Sequence, residues 1–260
     1  MIQSLLSADA LLRCRLLTLD GAVAGLTDLI LDTEGWRVRF LAADVRQWAP
    51  DRDALVTPRL VADVDEASGV VSLDLTAADL AATPPLAVRN GIAGFDEAGV
   101  VVPPNWREHW RARIQPEGGV DAPPAPAEGG EVAADLFADV DLDPERISAA
   151  QLVRAETLRG MRTETADGTV LRIQDLLIDD RDWSLAHLDL LLAADRGTRG
   201  GGDAKPLRCL LTPSGIDWLN TEAGTLYLSV WVQELRDAPT RPLPVAGNDG
   251  VKVRVLEPAA

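Results

Sequence analysis

The sequence predicts a mainly β protein in which two small antiparallel β-barrels, with short helical turns, follow one another in pseudo-twofold tandem. The first observation behind this prediction is a repeated phrase, because DLILDTEGW (28–36) returns 147 positions later as DLLIDDRDW (175–183). The second is that the match continues at an offset of 155, so that residues 55–84 correspond to residues 210–239. A Gly-rich insertion at 196–205 absorbs the change of offset, as a surface loop does at little cost. The chain therefore contains a duplicated domain.

Hairpin patterns in each copy predict the β structure. In the first copy, alternating apolar residues at 29–31 and 36–40 flank the turn sequence DTEG (32–35). A second hairpin is predicted over 61–75, with its turn at 66–69, and a helical turn capped by Thr76 follows it. Short strands at this spacing favour a small barrel over a layered α/β fold.

Four regions follow from these patterns. The first barrel is predicted at 1–86 and the second at 151–243, while residues 244–260 form a tail that includes a candidate strand at 251–256. The spacer between the barrels, 87–150, is acidic and Pro-rich from about residue 114. Between residues 114 and 145 it contains nine acidic residues and no basic one, which predicts a flexible linker.

Composition excludes several classes of function. A net charge of −16 disfavours nucleic-acid binding, which relies on clustered Lys and Arg. The longest stretch without a charged residue is eleven residues, at 223–233, shorter than the roughly 20 that a spanning helix needs. No signal peptide is apparent at the N-terminus, so a cytoplasmic protein is expected. Cys14 and Cys209 are too few for a disulfide framework, and we expect two buried thiols and no metal or cofactor.

Each copy contains the same motifs in the same order: a Gly-led strand, a strand with an Asp at each end, a turn into Trp, and a segment ending in Pro. The residues that carry these motifs in the two copies are Asp28, Asp32, Trp36, Pro58, Asp175, Asp179, Trp183 and Pro213. This ordered set resembles the PRC-barrel family. The resemblance implies non-catalytic work, since this barrel forms the cytoplasmic part of the photosynthetic reaction centre H subunit and also occurs in a ribosome-maturation factor.

An enzyme is not predicted. Asp28 and Asp32 would lie about 13 Å apart on one strand, as would Asp175 and Asp179 on another, farther than the roughly 5–9.5 Å used by paired catalytic carboxylates. All four are therefore interpreted as strand ends that begin turns. The two histidines are His109 in the spacer and His187 on a strand, and no nucleophile motif accompanies either. His187 aligns with Phe40, which favours a packed or partly exposed strand residue.

The two copies differ most at three aligned positions. Trp218, Tyr227 and Trp231 of the second copy stand where the first has Asp63, Ser72 and Thr76. Strand alternation predicts that Tyr227 faces outward and that Trp218 is its cross-strand neighbour. The candidate interaction surface comprises Trp218, Tyr227, Trp231, Trp106 and Trp110. Two interpretations stay open: a contact surface for a partner, or a seam covered by the first barrel, the spacer or the tail.

These observations together predict a cytoplasmic interaction or assembly module. Its expected partner is a protein, with a membrane complex at the inner membrane as one candidate, and a homodimer is a second arrangement. One alternative is a self-associating structural or stress-related protein without a dedicated partner. Another is an RNA- or ribosome-associated factor, which the acidic charge disfavours.

Overall fold

The protein is mainly β, and its strands form two sheets. The computed structural model describes residues 5–49, 53–82, 152–193, 206–220, 223–243, 245 and 251–258. These residues form a seven-stranded and a nine-stranded sheet with a few short helices. Within them, neither strand order closes on itself. The spacer, the Gly-rich insertion, His109, Trp106 and Trp110 lie outside the described residues.

The first unit is built on the seven-stranded sheet. Its own strands are β2 (Arg15–Leu17), β3 (Val23–Asp32), β4 (Val38–Asp44), β5 (Asp53–Val56), β6 (Val61–Asp65) and β7 (Val70–Leu73). They lie in the order β5-β4-β3-β2-β7-β6, and a strand from later in the chain, β8 (Leu152–Arg154), also pairs with β3. Neighbours are antiparallel except β2 and β7, which are parallel. The short helix α2 (Ala77–Ala82) follows β7.

The second unit repeats this order and adds two strands. Its strands are β9 (Arg162–Glu164), β10 (Val170–Asp179), β11 (Leu185–Leu192), β12 (Leu207–Leu211), β13 (Ile216–Asn220), β14 (Thr225–Leu228), β15 (Thr240–Pro242) and β16 (Lys252–Leu256). The order is β13-β14-β9-β10-β11-β12-β16-β15. The tail strand β16 runs parallel to β12, and its Val253 and Val255 join a small second core with Leu177 and Leu210.

The two units exchange their leading segments. The N-terminal arm, β1 (Leu5–Ser7) and α1 (Ala8–Leu11), begins the first copy, yet β1 pairs with β10 of the second unit. The central arm, β8 (Leu152–Arg154) and α3 (Ala155–Gly160), begins the second copy, yet β8 pairs with β3 of the first unit. The sequence pattern predicts that each arm packs within its own copy. In the folded protein, each unit is completed by the arm of the other.

A buried aspartate in each long strand anchors the incoming arm. Asp28 has no exposed surface and accepts from Arg154 Nε at 2.7 Å and from the Glu156 backbone N–H at 3.3 Å. Asp175, its equivalent, accepts from the Ser7 hydroxyl and from the Asp9 backbone N–H at 3.0 Å. The interpretation of Asp28 and Asp175 as strand ends is therefore wrong. Both lie inside their strands, where burial without such donors would be costly.

Asp32 and Asp179 do end their strands. Asp32 accepts from the Gly35 backbone N–H at 2.5 Å and pairs with Arg39, while Asp179 accepts from the Arg181 backbone N–H at 3.0 Å. Both aspartates thus organise the turn that follows, as the sequence predicts.

The Trp turns of the two units bond to each other. Trp36 and Trp183 adopt positive φ values of 49° and 58°, a conformation that is rare for bulky residues. The Trp36 carbonyl accepts from the Leu185 N–H at 2.6 Å, and the Trp183 carbonyl accepts from the Val38 N–H at 2.9 Å. The expectation that Trp36 alternates with Val38 and Phe40 on one strand is wrong, because β4 begins only at Val38.

The second hairpin and the helical turn of the first copy are as predicted. Val71, Leu73 and Leu75 are buried, and Gly69 takes the positive φ that its turn requires. Thr76 caps α2, since its hydroxyl accepts from the Asp79 N–H at 3.2 Å while the Asp79 carboxylate accepts from the Thr76 N–H. One continuous apolar core contains residues of both units.

None of the helices in the described ranges is long and apolar enough to cross a lipid bilayer.

Replacing Asp28 by Ala should lower the free energy of unfolding by about 2–4 kcal/mol, because Arg154 and the backbone N–H groups of Glu156 and Leu29 lose their buried acceptor. Urea unfolding followed by circular dichroism measures this change. The control is Arg13→Ala, which removes an exposed pair with Asp9 and should leave the midpoint unchanged. Equal midpoints for the two variants would contradict the anchoring role.

Candidate interaction surface

A stacked aromatic pair lies on the outer face of the second unit. Trp218 on β13 and Tyr227 on β14 are register partners, with ring centroids 5.0 Å apart and ring planes inclined by 6°. Trp218 keeps 51% of its surface exposed. The predicted cross-strand pair is therefore confirmed, and it is accessible to solvent.

The hairpin holds both rings through its own geometry. Leu226 and Leu228 are buried, so strand alternation turns Tyr227 outward between them. A bulge at Asp217 shifts the register by one residue and sets Trp218 opposite Tyr227. The turn is closed by Gly224 at a φ of 61° and by the Asn220 side chain, whose oxygen accepts from the Ala223 N–H at 2.9 Å.

Trp231 is exposed but lies apart from this pair. It precedes α4 (Val232–Asp237), where its backbone N–H donates to the Glu234 carboxylate at 2.6 Å. Its side chain is 59% exposed, and within the described ranges no ring contact joins it to Trp218 or Tyr227. With both Trp residues more than half exposed, neither the described residues of the first unit nor the tail strand β16 covers these positions. The spacer, the third candidate cover, lies outside the described residues, so its part of the seam interpretation stays a prediction.

The equivalent hairpin of the first unit has the same shape and different chemistry. Asp63 on β6 faces Ser72 on β7, next to the same kind of bulge. A cleft of about 430 Å³ borders this hairpin. Its wall also includes Leu6 of the N-terminal arm and Trp183 of the second unit. Its carboxylates are Asp63, Asp65, Glu66 and Asp180. Burial raises the pKa of Glu66, the hydrogen bond from the Ser7 backbone N–H opposes this, and the Asp175 carboxylate adds to the rise.

A buried ion pair in the second unit was not predicted. Asp189 on β11 has no exposed surface and accepts from Arg208 Nε at 2.8 and 2.7 Å on its two oxygens. It lies opposite Asp175 in the sheet, and burial raises its pKa. The signal was present in the repeat, because the first copy has Ala42 where the second has Asp189. The ion pair joins β11 to β12, and β11 is the neighbour of β10, the strand that contains Asp175.

His187 is a packed strand residue on β11, as its alignment with Phe40 suggests. In the described part of the protein, neither of its ring nitrogens has a hydrogen-bond partner. Burial lowers its pKa, with opposing effects from Glu257, which raises it, and Arg241, which lowers it. Such a histidine is disposed to stay neutral.

Cys14 and Cys209 are both buried, as predicted, and burial raises the pKa of the Cys209 thiol to about 12. In the ranges that the structure describes, no three His, Cys, Asp or Glu side chains come together as a metal-binding group.

Comparison of this chain with models of known protein families and with curated proteins finds no match.

Exchanging the aromatic pair for the residues of the other copy should leave the fold intact. Trp218→Asp with Tyr227→Ser should change the free energy of unfolding by no more than about 1 kcal/mol. The reason is that the equivalent hairpin of the first unit already has Asp and Ser at these two positions, next to the same kind of bulge. Urea unfolding provides the measurement. As a comparison, Leu226→Ala on the buried face of the same strand should cost about 2–4 kcal/mol. A double variant as unstable as Leu226→Ala would show that the pair serves packing.

His187 should make stability depend on pH. Because its pKa in the folded protein lies below the ordinary value of 6.5, the unfolded chain binds the proton more strongly. The free energy of unfolding should therefore fall as the pH drops from 7 through 6.5 towards 5.

His187→Phe, which installs the residue of the first copy, should remove this part of the pH dependence. Comparing the two proteins by urea unfolding at each pH cancels the carboxylates and His109, which are common to both. If the free energies of unfolding of the two proteins changed with pH in the same way, His187 would not be the source of this pH dependence.

Proposed function

We propose that this protein is a non-catalytic interaction or assembly module of the cytoplasm, made of two PRC-type barrels in tandem. The repeat of the motif residues and the matching strand orders of the two units support this architecture. The partner is a protein, either soluble or part of a membrane complex.

The observation that carries the proposal is the exposed Trp218–Tyr227 stack on one of two otherwise equivalent hairpins. Large aromatic side chains are enriched where proteins bind one another and dominate the binding free energy. Packing of the second unit does not require them, since the first unit forms the same hairpin with Asp63 and Ser72. A surface that only one copy has acquired is well suited to a specific partner.

The strongly negative charge supports a protein partner over a nucleic acid. An excess of 16 negative charges also makes close association of identical chains unfavourable, which counts against self-association as the main role.

A native pull-down from the protein's own cells, in soluble and detergent-solubilised fractions, tests the proposal. The wild-type chain should recover a stoichiometric protein partner. The Trp218→Asp, Tyr227→Ser variant should recover at least about tenfold less, because aromatic hot spots contribute 2 kcal/mol or more each. The matched control is Trp231→Thr, which also installs the residue of the first copy, outside the stacked pair. Unchanged recovery by the folded double variant would reject the surface.

A further inference from the structure

The stacked pair leaves one flat aromatic face available. Tyr227 lies on β14 and covers one face of the Trp218 indole, since the two ring planes are nearly parallel. The other face of the indole is turned away from the Tyr227 ring. Because β13 ends the described sheet order, no described strand pairs with its outer edge, and Trp218 keeps 51% of its surface exposed. A planar group placed there would extend the stack by a third layer.

The charge of the hairpin favours one kind of group. The β13–β14 hairpin sequence, residues 216–228, contains two acidic residues, Asp217 and Glu222, and no basic residue. On the neighbouring strand β9, Arg162 is paired with Glu164, so these two charges offset each other. Asp217 is exposed directly beside Trp218. An indole attracts cations more strongly than other aromatic rings, and a guanidinium is both cationic and planar. An arginine side chain matches the flatness, the charge and the neighbouring carboxylate together.

A partner contacts the face of the β13–β14 hairpin and not the edge of the sheet. The bulge at Asp217 interrupts the regular pattern of β13, and a bulge with an adjacent charge is a common protection of sheet edges against strand addition. A partner therefore needs to present a side chain to the indole and does not need to add a strand.

We infer that Trp218, Tyr227 and Asp217 form a docking site for an arginine side chain in a basic segment of the partner protein. This inference rests on the proposed function and specifies its chemistry. The charge of −16 per chain disfavours a second copy as the occupant, and the basic segment provides the complementary charge.

Fluorescence anisotropy with three labelled peptides tests the inference on the full chain. The probes are GSRSRSG, its lysine analogue GSKSKSG and its citrulline analogue, measured at about 150 mM salt to screen general attraction. The arginine peptide should bind at least about threefold more tightly than the lysine peptide, and the citrulline peptide should not bind.

The two hairpins supply matched variants. Trp218→Asp with Tyr227→Ser makes the chain more acidic, so general electrostatic attraction would tighten binding of the arginine peptide, whereas loss of the aromatic stack should weaken it at least about fivefold. The reverse exchange, Asp63→Trp with Ser72→Tyr, should add a second site and raise the stoichiometry from one peptide to two.

The outcomes separate this inference from the proposed function. Equal affinity for the arginine and lysine peptides, or tighter binding by the more acidic variant, would overturn the arginine site. If no peptide binds while the pull-down still depends on Trp218, the docking chemistry is wrong and the interaction module stands. Concentration-dependent dimerisation that the double variant abolishes would assign the face to a second copy and overturn the inference. Peptide binding without a Trp218-dependent partner would reject the proposed function instead.

Discussion

The exchange of arms, anchored by two buried carboxylates, is the constraint on which the rest of the structure depends. Asp28 and Asp175 lie in the interior, where an ionised group without donors would be strongly destabilising. In each case one backbone N–H of the aspartate's own strand donates to it, and the remaining donors come from the arm of the other copy. Neither unit satisfies its anchor alone. The arms also meet, since Arg159 of α3 donates to Asp9 of α1 at 3.0 Å. The reciprocal bonds between the Trp turns then fix the orientation of the two sheets.

The sequence predicted those elements whose structure depends on residues only a few positions apart. The hairpin at 61–75 and the cap at Thr76 follow from alternation, turn residues and capping, all set within a few positions. The arms could not be predicted, because strands as short as Leu5–Ser7 carry little periodicity and their partner strand lies more than 160 residues away. Asp28 was misplaced for the same reason: its donors belong to another part of the chain. The Trp218–Tyr227 pair was predictable because the repeat supplied its register, whereas its exposure depends on tertiary packing.

Duplication separates stability from specificity in this molecule. The features that hold the two units together occur in both copies, so each copy is constrained by the other. The paired outward positions of the outer hairpins do not anchor the arms, although Glu66 in the turn of the first hairpin accepts from the Ser7 N–H at 3.2 Å. These outward positions are Asp63 and Ser72 in one copy and aromatic rings in the other. The second core under β16 and the Asp189–Arg208 pair are further additions to the second unit, on the side of its sheet opposite to the aromatic hairpin in the strand order.

The arm exchange also sets the order in which the protein can be completed during synthesis. The seven-stranded sheet needs β8, which begins at residue 152, although the other strands of the first unit end at residue 73. Ribosomes add about 5–20 residues per second, so the first copy waits at least about 4 s with the side of β3 that receives β8 uncovered. The N-terminal arm waits longer still, until β10 has been made. A nascent chain with exposed strand edges and an unsatisfied carboxylate is a natural substrate for chaperones, and both units then reach their final form together.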